Sequence, residues 1–367
     1  MKKKILFIMH MPPPVHGAAM MGKYIQNSQL INNTFNCEYI NPTMASGIND
    51  LAKISIKKVF GFVILLNKIR RNIKRTQPDV CYFTPASGRK GFYKSFIIVW
   101  WLKLHRSKVL LHFHNKGISK RKEEYFEKKL FQSFFKNVKL IILSNHLYKE
   151  FEDYIDFKNV YICPNGIPAT LNTNFKKVIN TNKKFSLLFL SNMIEDKGVW
   201  LLLEACKKLK DNGYSFECNY IGKWSPITED MFNSRVKTLG LLDEVKGHGA
   251  KYGADKQKFF EQADLFVFPT FYENETFGLV LLEAMEYQLP CISTHEGGIP
   301  SVVEEGVTGK LLKEKSSTDL ANLIASFIDN PDWCTSMGIA GRKRFQKLFT
   351  LDVFEHNMKS ILDESTK

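Results

Sequence analysis

Apolar and polar positions along the chain follow two alternating rhythms, short buried-strand runs and longer stretches with apolar residues at helical spacing. Lys4 to Met9 is the first run; the loop HMPPPVHGAAMMG follows, and a helix is predicted over Ala18 to Ser28. Asp79–Thr84, Val109–Phe113, Lys139–Leu143 and Val160–Cys163 repeat the strand pattern. Between them lie helical stretches at 51–75, around the apolar run Phe96–Leu102, and over Lys120–Asn137. A polar, Asn/Lys-rich stretch without periodicity, 171–185, reads as a linker. The alternation then restarts, with strands at Ser186–Leu190, Phe216–Ile221, Glu244–Gly247 and Ala263–Pro269 and a helix over Val199–Asn212 ended by Gly213. Strands alternating with helices in both halves predict an α/β chain of parallel sheets covered by helices on both faces. The first strand, glycine-bearing loop and helix open a Rossmann-like unit, with Gly17 just before the helix. The tail, GRKRFQKLFTLDVFEHNMKSILDE, reads as helical.

Pro269 to Leu312 concentrates the candidate chemistry: PTFYENETFGLVLLEAMEYQLPCISTHEGGIPSVVEEGVTGKLL. Thr276 is read as the N-cap of a helix carrying the apolar run Leu279 to Leu282. Glu275 precedes that helix and Glu283 lies about two turns along it, so both carboxylates can serve one site. Between them the unpaired amides of a first helical turn, with no side chain at Gly278, form a seat for an anion. A carboxylate beside a phosphate-sized seat points to a ligand bearing both phosphate and hydroxyls, a nucleotide sugar. Glu283 sits in LLEAM, a setting that disfavours an idle charge. Gly297 and Gly298 read as a plain turn or as a close backbone approach to ligand. His114 closes the strand Val109–Phe113, at the carboxyl end where open α/β sheets place ligands. His112, one pleat deeper, reads as a packed core residue, and two histidines with no third ligand nearby make no metal site.

Charge changes this picture more than composition does. Apolar content of 44% and charged content of 24% are ordinary for a globular chain, and 367 residues fit two domains. Residues 1–175 hold 28 Lys/Arg against 10 Asp/Glu, a net +18, whereas the remainder holds 24 against 27, a net −3. One basic half implies a partner with an anionic surface, either nucleic acid or the anionic face of a membrane. No helix-turn-helix signal or aromatic-basic interleaving supports nucleic acid. The run Phe96–Leu102, with Trp100 and Trp101, is too short to span a bilayer; it reads as a helix packed under a sheet or as one dipping an aromatic face into the membrane interface. Seven scattered cysteines without a C-x-x-C pair exclude a disulfide framework and a zinc site, which fits a reducing cytosol. MKKKILFIMHMPPP reads as a first strand rather than a signal peptide.

Taken together the residues resemble the retaining glycosyltransferases of the large family 4, built from two facing Rossmann-like domains (the GT-B fold). The resemblance is carried by Glu275-Thr-Phe-Gly-Leu-Val-Leu-Leu-Glu283, Gly297-Gly298-Ile-Pro300, Glu305-Gly306-Val-Thr-Gly309, Asp196-Lys197-Gly198, Pro164-Asn165-Gly166, His114-Asn-Lys-Gly and the Gly17 loop. It implies a basic acceptor-side domain over 1–175, a nucleotide-sugar domain over 176–345, and a helix over 346–367 returning to the first domain. It further implies that Glu283 accepts from ribose hydroxyls, Glu275 binds donor-sugar hydroxyls, and the amides of Phe277, Gly278 and Leu279 hold the diphosphate. Lys197 would neutralise that diphosphate, Gly17 would let its loop approach it, and His114 would contact the donor sugar or the reacting centre. The chain has no Asp-x-Asp, so no cofactor and no metal is expected, with Lys197 and the helix terminus in the role of a metal clamp. One departure stands out: Asn192 takes the place of the Arg usual before the Asp196-Lys197-Gly198 lysine, with Arg89, Lys116 or Lys223 as substitutes. The expected partners are a UDP- or GDP-sugar, a lipid-linked or oligosaccharide acceptor and an anionic membrane surface, with no nucleic acid. The expected location is cytoplasmic, peripheral at the inner face of the cell membrane. The alternatives are a same-fold nucleotide-sugar epimerase or phosphorylase, and a basic nucleic-acid-binding protein.

Overall fold

A computed structural model of the chain describes residues 1–13, 17–42, 56–121, 125–171, 177 and 184–367. Parts of three predicted elements therefore lie outside the described residues: 51–55 of the first basic helix, 122–124 of the second, and most of the Asn/Lys-rich stretch. The chain divides into two compact units, Met1–Asn165 with Leu351–Lys367, and Gly166–Thr350.

The first unit runs β1 (Lys4–Ile8), α1 (Gly17–Asn27), α2 (Gln29–Thr34), β2 (Asn36–Ile40), α3 (Ile56–Thr76), β3 (Val80–Phe83) and α4 (Arg89–Leu104). It continues through β4 (Val109–His112), α5 (Tyr125–Phe135), β5 (Lys139–Ile142) and β6 (Val160–Ile162). Its strands form a parallel sheet in the order β2-β1-β3-β4-β5-β6. The second unit holds β7 (Phe185–Leu190), α6 (Val199–Asp211), β8 (Phe216–Ile221), α7 (Glu229–Thr238), β9 (Val245–Gly247) and α8 (Gly253–Gln262). Then come β10 (Leu265–Val267), α9 (Leu279–Glu286), β11 (Cys291–Thr294), α10 (Ile299–Val302), β12 (Gly309–Leu312), α11 (Ser317–Asp329) and α12 (Pro331–Leu348). Its parallel order, β12-β11-β10-β7-β8-β9, is the 3-2-1-4-5-6 arrangement of dinucleotide-binding folds.

Central strands such as VCYF and VLLH are buried throughout, which is why they read as unbroken apolar runs rather than alternating ones. Several helices begin where a hydroxyl satisfies a first-turn amide. Ser28 Oγ accepts from Ile31 N at 3.2 Å. Thr228 Oγ1 accepts from Met231 N at 3.2 Å. Ser316 Oγ accepts from Asp319 N at 3.1 Å. Gly213 has left-handed backbone and ends α6, the usual stop for a helix.

Three sequence boundaries move. The tail is two helices, because α12 stops at Leu348 and α13 (Leu351–Ser365) begins after Phe349 and Thr350. The break matters: α13 belongs to the first unit, where Phe354, Met358, Ile361 and Leu362 share a core with Ile5, Phe7 and Met21. The division between units falls at Asn165/Gly166, ahead of the boundary read at 175. The physical reason is the buried Glu286 carboxylate, which accepts from the amides of Thr170 and Leu171 and draws that segment into the second unit. Finally, the N-cap of α9 is Gly278, not Thr276.

Met358 is fully buried in the first unit's core. Met358→Ala should therefore cost about 2–5 kcal/mol of stability by urea unfolding. His356→Ala, on the exposed side of the same helix, should leave the urea midpoint close to that of the parent.

Candidate active site

In an open α/β sheet the ligand crevice lies beyond the carboxyl ends of the strands where the order reverses. In the second unit those strands are β7 and β10, which pair in parallel through Leu187 and Leu188. The loop after β7 carries Asp196-Lys197-Gly198; the loop after β10 carries Glu275 through Gly278. The two loops are joined by backbone: Phe271 N donates to Asp196 O at 2.8 Å. Gly198, at φ +90°, caps the turn before α6, and a Cβ there would lie 2.4 Å from Pro269 O. Only glycine permits this approach.

The approach brings Lys197 and Glu275 together. The Lys197 ammonium pairs with Glu275 Oε2, and both side chains are largely buried, at 15% and 12% exposure. The ammonium also faces the Tyr272 ring, 4.6 Å from its centroid. Glu275 Oε1 accepts from Gly278 N at 3.0 Å. Gly278 sits at φ +75°, which turns the chain into α9. The expected three-amide anion seat is thus partly occupied by the chain itself. Glu275 holds the Gly278 amide, while the amides of Phe277 and Leu279 have no acceptor among the described residues. A carboxylate at a helix N-terminus, closed by a lysine, is the arrangement the helix dipole favours.

Gly297 and Gly298 serve this loop. A Cβ on Gly297, at φ +55°, would lie 2.3 Å from Glu275 O, and Gly298 N donates to Thr276 O at 2.9 Å. Their close approach is to the Glu275–Thr276 backbone. Glu305-Gly306-Val-Thr-Gly309 is likewise scaffold: Glu305 accepts from Leu311 N, and Gly309 lies flat against Cys291 O.

Glu283 lies on α9 and is a quarter exposed. Its Oε2 pairs with Lys256 Nζ of α8 at 2.5 Å. Lys256 escaped the sequence reading, because nothing in GADKQKFFEQ distinguishes it from an exposed helix lysine. Asn192 is exposed beyond β7. Among the suggested substitutes for the missing arginine, Lys223 is the neighbour: its carbonyl accepts from Met193 N at 2.9 Å. Lys116 belongs to the first unit, and the Arg89 side chain lies outside those described.

Gly17 and His114 lie in the first unit, at the carboxyl edge of its sheet. Gly17 is the exposed first residue of α1. The glycine of that helix under steric demand is Gly22, where a Cβ would stand 2.1 Å from His10 O. The spacing in GAAMMG was the available signal for it. His114 follows β4 and its ring lies tilted against that of His112, centroids 4.0 Å apart. His112 is fully buried, its Nδ1 2.6 Å from Tyr82 Oη. Burial, then the adjacent His114, pushes its pKa well below the usual value, so His112 is neutral.

The family model of "Glycosyl transferases group 1" matches residues 172–344, which hold Lys197, Glu275 and Glu283. The match covers just under half of the chain, and through it residues 172–344 are similar to the group 1 glycosyl transferases. Among curated relatives, the amylovoran biosynthesis glycosyltransferase AmsK of Erwinia amylovora is 24% identical over 71% of this chain and 65% of its own. The capsular polysaccharide biosynthesis glycosyltransferase CapM of Staphylococcus aureus is 26% identical over 54% and 50%. The chain spans between two fifths and two thirds of the length of the first curated relatives it matches. In fold it is similar to a glycosyltransferase from Rickettsia africae, at a TM-score of 0.78 and 19% identity over 100% of this chain and 99% of that one. The chain therefore has the two-unit α/β fold that the resemblance implied.

Gly198 combines left-handed backbone with contact, whereas Gly213, at φ +81°, has open space around it. Gly213→Ala should therefore cost only the strain, about 1–2 kcal/mol. Gly198→Ala should cost clearly more, measured as the difference in urea midpoints; equal costs would contradict the packing described.

Proposed function

We propose that this chain is a group 1 glycosyl transferase that moves a sugar from a nucleotide-sugar donor to a saccharide acceptor in surface-polysaccharide assembly, with retention at the anomeric carbon. The observation that carries the reading is the Lys197–Glu275 pair at the start of α9, on the loops of the β7/β10 switch point. Glycosyl transfer leaves a nucleoside diphosphate whose charge grows as the glycosidic bond breaks. The Lys197 ammonium and the open amides of Phe277 and Leu279 are groups suited to that charge. Glu275, fixed by Gly278 N and Lys197, is suited to donor-sugar hydroxyls, and Glu283 to the ribose. Neither carboxylate is assigned as a covalent nucleophile. The roles of Gly17 at the diphosphate and His114 at the donor sugar come from the resemblance and are carried here as proposals.

The donor is proposed to be a UDP- or GDP-sugar. A solved structure of Anabaena HepE in complex with UDP-glucose, similar in fold at a TM-score of 0.70 and 17% identity over 98% of this chain and 99% of that one, supports this class. A lipid-linked or oligosaccharide acceptor and peripheral work at the inner, anionic face of the cell membrane complete the reading, supported by the +18 half of the chain.

Glu275→Ala should lower turnover on the order of 10²–10³-fold in a chain that still folds, with a lower urea midpoint because Lys197 loses its partner. Glu283→Ala should instead raise the dissociation constant of the nucleotide about tenfold and leave more of kcat. Near-normal turnover in the first variant, or unchanged nucleotide affinity in the second, would sink the assignment. A thermal-shift screen of UDP-, GDP- and ADP-sugars supplies the donor for these assays. Lys197 and the amides of α9 are proposed to do what a divalent metal would otherwise do. Activity should therefore persist in excess chelator, and strict dependence on added Mg²⁺ or Mn²⁺ would overturn that part.

A further inference from the structure

The connections β2–α3–β3, β3–α4–β4 and β4–α5–β5 all cross the first sheet in one direction. The β1–β2 connection through α1 and α2 crosses it in the other. Right-handed crossovers therefore place α3, α4 and α5 together on one face and α1 and α2 on the opposite one. α13 packs against α2, so it covers that opposite face; among the described residues no further layer covers the α3–α4–α5 face.

The uncovered face is apolar where solvent should favour polar groups. α3 already buries a complete inward stripe, Leu65, Ile69 and Ile73. Yet Val59, Phe60, Val63 and Ile64 on its first turns are about half exposed or more. α4 buries Ile98, Val99 and Leu102 and exposes Ile97, Trp100 and Leu104 along one stripe. Phe126, on the first turn of α5, is 67% exposed.

The charge on the same helices has one sign. α3 and α4 contain no Asp or Glu. The single carboxylate of α5, Glu127, is buried and paired with Arg121 at 3.4 Å. Exposed cations continue from the apolar half of α3 through Lys68, Arg70, Arg71 and Lys74, with Lys94 on α4 and Lys128 and Lys129 on α5. A second copy of this face would bring like charges together. Nucleic acid would satisfy the cations and leave Val63, Ile64 and Leu104 in water. An anionic bilayer takes both: headgroups meet the Lys and Arg side chains while Phe60, Ile64 and Trp100 enter the interface.

We propose that the α3–α4–α5 face of the first unit is a docking surface for an anionic lipid bilayer. This deepens the membrane association of the proposed function and rests on it for its biological setting. Among the described residues no helix is long and apolar enough to cross a membrane, so the contact is interfacial.

The test uses the full chain with vesicles of phosphatidylcholine alone or mixed with phosphatidylglycerol, read by co-sedimentation and tryptophan emission. The parent should sediment with the mixed vesicles, with emission shifted to the blue, and binding should fall as salt rises. Phe60→Ser/Ile64→Ser/Trp100→Ser should bind on the order of tenfold more weakly with circular dichroism unchanged. Arg71→Glu/Lys74→Glu should lose the preference for the anionic lipid. All of these positions are exposed, so the variants test the surface rather than the core. Absence of vesicle binding by the parent, or full binding by the triple variant, would overturn the proposal. So would a lipid-free dimer that the triple variant abolishes, or binding of single-stranded RNA in place of vesicles. Vesicle binding without sugar-nucleotide turnover would uphold the surface and count against the catalytic reading alone.

Discussion

The second unit depends on one ion pair made between two loops. Neither Lys197 nor Glu275 can sit largely buried without the other, because an unpaired charge out of water costs several kcal/mol. Their meeting requires the chain after β7 to lie against the chain after β10, and Gly198 against Pro269 makes that contact. It also requires the Glu275 loop to be held in place, which Gly297 and Gly298 do from the far side through the Glu275–Thr276 backbone. The glycines spread over a hundred residues are thus supports for one electrostatic contact.

Much of this was legible in the sequence, for a local reason. Strands buried on both faces give unbroken apolar runs, and left-handed turns recruit glycine, so VLLH, Gly198 and Gly278 declare themselves within a few residues. What failed was non-local or fine-grained. The Lys256–Glu283 pair joins α8 to α9, and an exposed-looking helix lysine carries no mark of its partner. Thr276 looked like an N-cap because hydroxyls favour that position, but φ +75° at Gly278 puts the helix start two residues later. The unit boundary was placed by composition at the Asn/Lys-rich stretch, whereas Glu286 captures Thr170 and Leu171 before it. The returning helix was expected from resemblance; the gap at Phe349–Thr350 that frees it is set by tertiary packing, with Ile167 N donating to Phe349 O at 3.0 Å.

The two sheets put this logic to different uses. The second unit has its strands in the 3-2-1-4-5-6 order and sets its Lys197–Glu275 pair at the switch point. The first has the order 2-1-3-4-5-6 and keeps its polar core group, Tyr82 with His112, sealed beneath His114. A neutral imidazole packed against an edge histidine supports it without adding charge there.

The ion pair also bears on how the site treats an anion. Glu275 occupies the Gly278 amide and offsets the charge of Lys197, so the pair carries little net charge of its own. A diphosphate arriving at Phe277 N and Leu279 N would meet a lysine already desolvated and oriented by the Tyr272 ring. Little reorganisation remains to be done at that point, which is the condition under which a fixed cation is most effective toward developing charge. The same pairing sets a limit. Glu275 repels an anion that seeks the Gly278 amide, so a diphosphate bound as proposed would divide the helix terminus with the carboxylate, with Lys197 between the two. Such a division favours a ligand that sets hydroxyls against the carboxylate and phosphate oxygens against the amides over one carrying phosphate alone.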